Sequence, residues 1–303
     1  MIINDIAIDD TFAEAFGMKA TRLIITAHNL KWAQHSAAAL TGFATSVIAC
    51  GCEAGIEREL SAEETPDARP GVSVLLFATS SKELTKQVER RVAMCVLTSP
   101  SSAVFAGVEA REKLPLGQYV RYFGDGYQSS KLIGGKRYWR IPVMDGDFLA
   151  EDTTGMVSAI GGGNFLVLAR SQVEALTACE AALEAMRKLA NVIMPFPGGV
   201  VRSGSKVGSK YPQLRASTND PYCPTIKGAT RTQLSDEIES VLEIVIDGLT
   251  EQDIRAAMRA GIGAVCKLGR ASGVVRISAG DYGGKLGKYH FRLREIMAGT
   301  NHP

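Results

Sequence analysis

The sequence is poor in the residues from which common catalytic and metal centres are built. Its four histidines, His28, His35, His290 and His302, stand apart, none at metal-ligand spacing to another. Of the six cysteines only Cys50 and Cys52 are close, and one Cys-x-Cys without a second pair or a nearby His is no zinc template. Gly161-Gly162-Gly163 lacks the G-x-G-x-x-G spacing, and neither Lys285 nor Lys288 completes a P-loop, so mononucleotide chemistry has no support. Phe123-Gly124-Asp125-Gly126-Tyr127 carries too few carboxylates for a calcium loop. No metal is expected. A chain of 303 residues does not need disulfide staples, which leaves reduced, mostly buried thiols in a cytoplasmic protein as the expectation.

Net charge is also scarce. Lys and Arg total 34 against 32 Asp and Glu, a balance of +2 that gives no global drive toward nucleic acid or anionic membranes. Nucleic acid would need a broad basic surface with stacking aromatics, and neither is evident. The first residues, Met1-Ile2-Ile3-Asn4-Asp5, have no basic segment followed by a long apolar one, so no leader is expected. The uncharged stretch 32–52 is long enough to raise the question of a membrane helix. It contains Gln34, His35, Ser36, Thr41 and Gly42 and changes from helical to strand-like spacing midway, which reads as a buried soluble segment. With 46% hydrophobic and 22% charged residues, the composition is that of a folded soluble protein, and the length suggests two lobes.

Periodicity yields four strand–helix–strand units. The first is a strand at 22–25, a helix over 29–40 and a strand at 46–48. The second is a strand at 72–77, a helix opening near Ser81 with Leu84, Val88, Val92 and Cys95 on one face, and a strand at 96–97. The third is a strand at 164–168, a helix capped by Ser171 with Glu174 three residues on, and a strand at 192–194; Leu176, Cys179, Leu183 and Met186 form its stripe. The fourth is a strand at 241–246, a helix from Thr250 with Ile254, Met258, Ile262 and Val265 on one face, and a strand at 274–277. Two such units in tandem make a split βαβ, ferredoxin-like module. The expected fold is therefore α+β, with duplicated ferredoxin-like modules forming an N-terminal lobe over 1–150 and a C-terminal lobe over 151–303. Long connections rich in Gly, Pro, Ser and Asp, at 51–71, 123–136, 195–225 and 279–288, read as shaped functional loops.

Two local features stand out. Residues 185–219 contain no Asp or Glu but carry Arg187, Lys188, Arg202, Lys206, Lys210 and Arg215. Small residues let a backbone approach a ligand closely, and free N–H groups beside Lys and Arg suit anions; a solvated flexible loop is the other reading. Glu243 interrupts Val241-Leu242 and Ile244-Val245-Ile246. A carboxylate there is paired, raised in pKa, or on a face that opens into a cleft. Periodicity favours an outward-facing strand residue, with Asp247 on the same face.

Several segments, in order along nearly the whole chain, carry a resemblance. They are Asp10-Thr11-Phe12-Ala13-Glu14-Ala15-Phe16, Glu64-Thr65-Pro66-Asp67-Ala68-Arg69-Pro70-Gly71, Phe123-Gly124-Asp125-Gly126-Tyr127 and Pro195-Phe196-Pro197-Gly198-Gly199. They continue with Ser203-Gly204-Ser205-Lys206-Val207-Gly208, Ala216-Ser217-Thr218-Asn219-Asp220 and Gly283-Gly284-Lys285-Leu286-Gly287. Together they resemble the formylmethanofuran–tetrahydromethanopterin N-formyltransferase family. The resemblance implies formyl transfer between N5 of tetrahydromethanopterin and the amine of methanofuran by a homotetramer of duplicated ferredoxin-like fold. It implies no tightly bound cofactor, the two carriers being substrates. It places the catalytic carboxylate at Glu243 and carrier-binding residues at Arg202, Ser205, Lys206, Lys210, Asn219 and Asp220. Anionic carrier tails would give the basic loop its purpose.

The near-neutral balance and the segments at 137–146 and 242–248 resemble the bacterial methylotroph branch. That implies a subunit of a formyltransferase/hydrolase complex in formaldehyde oxidation, working toward formylmethanofuran, with hydrolysis on another subunit. Two alternatives are a structural, carrier-binding subunit and a formyltransferase using a folate.

Overall fold

Capped amphipathic helices alternate with strands whose inward faces are continuous Val, Leu, Ile and Ala. The computed structural model describes residues 1–202 and 205–299. They form two compact units, Met18–Ala159 and, around it in sequence, Met1–Gly17 with the chain from Ile160 onward.

In the unit Met18–Ala159 the order is β1 (Phe12–Thr26), α1 (Leu30–Thr41), β2 (Glu53–Leu60), β3 (Gly71–Ala78), α2 (Ser81–Arg91) and β4 (Ala103–Ala106). All pairings are antiparallel, in the spatial order β4-β1-β3-β2, which is the split βαβ arrangement. Asn29 caps α1 by accepting from Trp32 N–H at 3.2 Å, and Ala33, Ser36, Ala37 and Leu40 form its buried face. Ser80 caps α2 in the same way through Glu83 N–H, 3.2 Å away, with Leu84 and Val88 buried. A meander of Ser129–Ile133, Lys136–Val143 and Gly146–Glu151 widens the sheet beyond β4.

Two expected strands lie elsewhere. Val47–Cys50 is a helical turn capped by Ser46 and ended by Gly51 at φ 78°, and the strand is β2, whose Glu57, Arg58 and Glu59 disguise it. Val92–Val96 prolongs α2 as a π-helical turn, with Val92, Ala93 and Val96 buried, and the strand is β4. An apolar run of three or four residues cannot by itself separate a buried helical turn from a strand.

The second unit repeats the arrangement with β5 (Thr153–Ala169), α3 (Gln172–Met186), β6 (Val192–Ile193), β7 (Ser240–Gly248), α4 (Glu251–Leu268) and β8 (Val274–Ser278). Its spatial order is β8-β5-β7-β6, again antiparallel throughout. The chain is thus a duplicated ferredoxin-like α+β fold, as expected. Thr250 and Asp253 cap α4 reciprocally at 3.1 and 3.0 Å, and Ile254, Met258, Ile262 and Val265 are fully buried. On α3 the buried face is Ala175, Ala178, Cys179, Ala182, Leu183 and Met186; Leu176, expected in the stripe, is 44% exposed. The core between the helices and the sheet includes Phe165, Ile244 and Ile246.

The compact units change over at Gly17/Met18 and Ala159/Ile160. Ile6–Ile8 pairs in parallel with β8, and Phe12–Ala15 pairs with Tyr289–Arg292, so the first residues belong with the C-terminal module. Among the described residues no helix is long and apolar enough to cross a membrane; the stretch 32–52 is divided between α1 and the turn Val47–Cys50.

Candidate active site

A ferredoxin-like sheet has helices on one face only. In the C-terminal unit the other face is covered by described residues of the segment inserted between β6 and β7, Tyr222, Leu234 and Ile238 among them. Leu166, Leu168, Leu234, Ile238 and Val275 are buried there, with Tyr222 and Val241 packed against them. Glu243 points to this covered face. Periodicity places it correctly as to face, and the insert turns an outward position into a buried one, 4% exposed.

The backbone around Glu243 is tightly held. On one side β7 pairs Glu243 with Leu166 of β5. On its other edge Glu243 exchanges both backbone hydrogen bonds with Val201, at 2.9 Å each. That bridge sets Arg202 next to Glu243. Leu166 also pairs with Ser278 of β8, so Glu243, Leu166 and Ser278 form one row across the sheet on the same face. Ser278 Oγ lies 3.3 Å from the hydroxyl of Tyr222, which comes from the insert.

A cavity of about 560 Å³ opens on this row, lined by Leu166, Gln172, Arg202, Asn219, Tyr222 and Glu243 among others. Glu243 Oε2 is buried and has no hydrogen-bond partner among the described residues. Burial disfavours the charged form and pushes the carboxyl up to about 7. Glu243 is therefore placed as a carboxylic acid able to hold or give a proton near neutrality, which fits the reading of a raised pKa in a cleft.

The expected carrier-binding residues divide into three groups. Arg202, exposed, and Asn219, 9% exposed, line the cavity with Glu243. Lys206 and Asp220 pair with each other instead, across the hairpin Ser205–Val207 and Ala216–Thr218, and the ammonium holds the Asp220 carboxyl below its ordinary value. Lys210 is exposed and does not line the cavity. Ser205 pairs with Thr218 through its backbone, its side chain lying outside the described residues together with Ser203 and Gly204. Among the described residues no three His, Cys, Asp or Glu side chains cluster as a metal site requires.

The structure adds residues that sequence reasoning missed. Asn164 stands on the Glu243 face two residues before Leu166, with Oδ1 accepting from Gly280 N–H at 2.6 Å. Tyr222 comes from an insert whose partner strand no local pattern reveals. Tyr282 lies in the glycine-rich loop 279–288, which was visible as a shaped loop but not as part of this site.

Two family models match this chain. One, described as formylmethanofuran-tetrahydromethanopterin formyltransferase, matches residues 1–143, and its proximal-lobe counterpart matches 146–296. Proteins named formylmethanofuran–tetrahydromethanopterin formyltransferase from Methylococcus capsulatus and Methylobacillus flagellatus are 72% and 68% identical. Each alignment covers 98% of this chain and 100% of the relative. A crystal structure of the formyltransferase/hydrolase complex from Methylorubrum extorquens with methylofuran contains a chain 49% identical, with TM-score 0.96 and coverage of 98% of both chains. The chain belongs to the formylmethanofuran–tetrahydromethanopterin formyltransferase family.

Proposed function

We propose that this protein transfers a formyl group between N5 of tetrahydromethanopterin and the primary amine of methanofuran, with Glu243 as the acid–base residue. The observation that carries the reading is a buried carboxyl, raised to about 7, with no partner for Oε2 among the described residues and lining a cavity, in a chain of this family. Toward formylmethanofuran, the amine nitrogen attacks the formyl carbon and the carbonyl π pair moves to oxygen. The tetrahedral intermediate then expels N5, and the amine proton passes to the leaving nitrogen. Protonated Glu243 stabilises the oxyanion by hydrogen bonding and can relay the proton. No enzyme-bound acyl group is needed, and two carriers held in register supply much of the acceleration, up to ~7–11 kcal/mol in well-oriented model systems.

The working form is a cytoplasmic homotetramer associated with hydrolase subunits, the direction being toward formylmethanofuran and its hydrolysis. Support for the hydrolase partners comes from the Methylorubrum complex. The decisive experiment is a formyl-transfer assay of the purified chain with each carrier pair. Transfer between tetrahydromethanopterin and methanofuran is expected. Activity only with a formylated folate, or none from the folded protein with any pair, overturns the reading.

Arg202 is the cation placed to meet an anionic carrier tail at the cavity, with Lys210 at a more exposed position. Lys206 contributes less, because Asp220 already engages its ammonium. Exposed charge pairs contribute about 0.2–1 kcal/mol each, so Arg202→Ala with Lys210→Ala raises KM by roughly twofold to thirtyfold at low salt. The effect shrinks above about 0.15 M salt as screening sets in. Lys206→Ala with Lys210→Ala gives a smaller rise. A KM independent of both substitutions and of salt would leave this loop as solvated surface.

A further inference from the structure

The strand β8 is joined to the strand Tyr289–Arg292 by a loop, 279–288, with no regular structure of its own. What fixes it is Glu14. This residue is 1% exposed and sits on Phe12–Thr26 opposite His290. Its Oε2 accepts the backbone N–H groups of Tyr282 at 3.2 Å and Gly284 at 3.0 Å. Its Oε1 accepts those of Gly287, 2.8 Å away, and Leu286. Its own N–H donates to the Gly280 carbonyl at 3.2 Å. A buried carboxylate is tolerated when hydrogen bonds replace its water, and converging backbone amides do so here. Glycine makes the cradle possible: Gly283 and Gly284 have φ of 83° and 70°, a region other residues rarely adopt.

The loop so held delivers one polar side chain to the Glu243 face. A Cβ built on Gly280 would lie 3.3 Å from the Tyr282 hydroxyl and 3.1 Å from the Asn164 amide, so the phenol lies over Gly280 beside Asn164. Asn164 and Glu243 share that sheet face, since Asn164 pairs with Val245, two residues along β7. We infer that Glu14 is a positioning residue: its buried carboxylate clamps loop 279–288 and so holds the Tyr282 hydroxyl at the Glu243 face as a second hydrogen-bond donor for the reacting carriers. Burial, then the nearby charges of Glu243 and Glu14, push the Tyr282 phenol above its ordinary value, which keeps it protonated as a donor. The inference rests on the formyl-transfer reading for its consequence in turnover, while the clamp itself stands on the hydrogen bonds.

The test uses the full chain with Glu14→Gln, Tyr282→Phe and both together. In Glu14→Gln the side-chain amide turns a donor toward backbone N–H groups that need an acceptor. Backbone hydrogen exchange over 280–288 is therefore expected to quicken by at least about tenfold, with α3 and α4 unchanged. Both single variants are expected to lose roughly tenfold or more in kcat, with KM for either carrier changed by less than about twofold. The double variant falls no further than the worse single, because both act through one hydroxyl. Unchanged exchange in Glu14→Gln, wild-type kcat in Tyr282→Phe, or losses that multiply would each overturn the inference. If Glu14→Gln does not fold, Glu14→Asp, which keeps both acceptor oxygens on a shorter arm, carries the same measurements. If the wild type transfers no formyl group, the exchange measurement still decides the clamp separately from the reaction.

Discussion

Glu243→Gln is expected to lower kcat for formyl transfer by about 10²–10⁴-fold and to stabilise the protein above pH 7. Both effects have one origin. Gln keeps the shape of the carboxyl but can neither take nor give up the proton that the reaction moves. The stability effect follows from the raised pKa. The group titrates near 4.5 when unfolded and at about 7 when folded, so the native state binds more protons between those values. Stability therefore declines as pH rises through this window, and above pH 7 the wild type carries the whole penalty of a buried carboxylate. A shift of that size corresponds to about 3 kcal/mol. Gln carries no charge at any pH. Below pH 4.5 the variant and wild type should differ little, and above pH 7 the variant should be the more stable by up to about 3 kcal/mol. Denaturant unfolding at pH 5 and pH 8 measures this directly. The kcat profile gives a second readout: an alkaline limb near pH 7 in the wild type, absent from the variant. Equal turnover would remove Glu243 from the mechanism, and equal stability at pH 8 would deny its desolvation. A residue that destabilises its own fold when charged is what a working acid in a buried site looks like.

Gly287→Ala is the second substitution with a large expected effect, about a hundredfold loss in kcat with roughly 1–3 kcal/mol of destabilisation. A Cβ built there would overlap the Ala15 carbonyl oxygen and fall 2.5 Å from its carbon. Both are backbone atoms, so no rotamer change relieves the overlap. The loop must move away from the strand, and Ala15 is paired with Tyr289 two residues further on. The displacement takes the N–H groups of Leu286 and Gly287 off Glu14 and carries Tyr282 away from Asn164. Steady-state kinetics with a thermal melt distinguish this from simple unfolding. Gly283→Ala is the milder comparison, because a Cβ there meets nothing within 4 Å and only the positive φ opposes it. Wild-type kcat in Gly287→Ala would show that the loop's position does not matter to the reaction.

Much of the framework was legible because it is set by local chemistry. The Thr250 cap, the Ile254, Met258, Ile262 and Val265 stripe and the strand at 241–246 are all observed, since capping and period depend on residues within two turns of each other. Local reading failed where an apolar run was short, as at 46–48 and 96–97, and where a charged alternation hid β2. The pairing of Phe12–Ala15 with Tyr289–Arg292 joins opposite ends of the chain and lies beyond any local pattern.

The site shows the same division. The sequence alone determined which residues are chemically unusual: a lone carboxylate in an apolar strand, an acid-free basic loop and glycine-rich segments shaped for close approach. Only the tertiary structure decided what surrounds them. Strand periodicity sets the face on which Glu243 stands. Its burial and its proton affinity come from Val201, Tyr222 and the rest of the insert folding over that face. Glu14 stood out in the sequence only as part of the segment 10–16, and its meaning lies in the amides of residues 282–287. The physical reason is common to both: a side chain's period is local, whereas its desolvation and its hydrogen-bond partners are supplied by chain that is distant in sequence and adjacent only after folding.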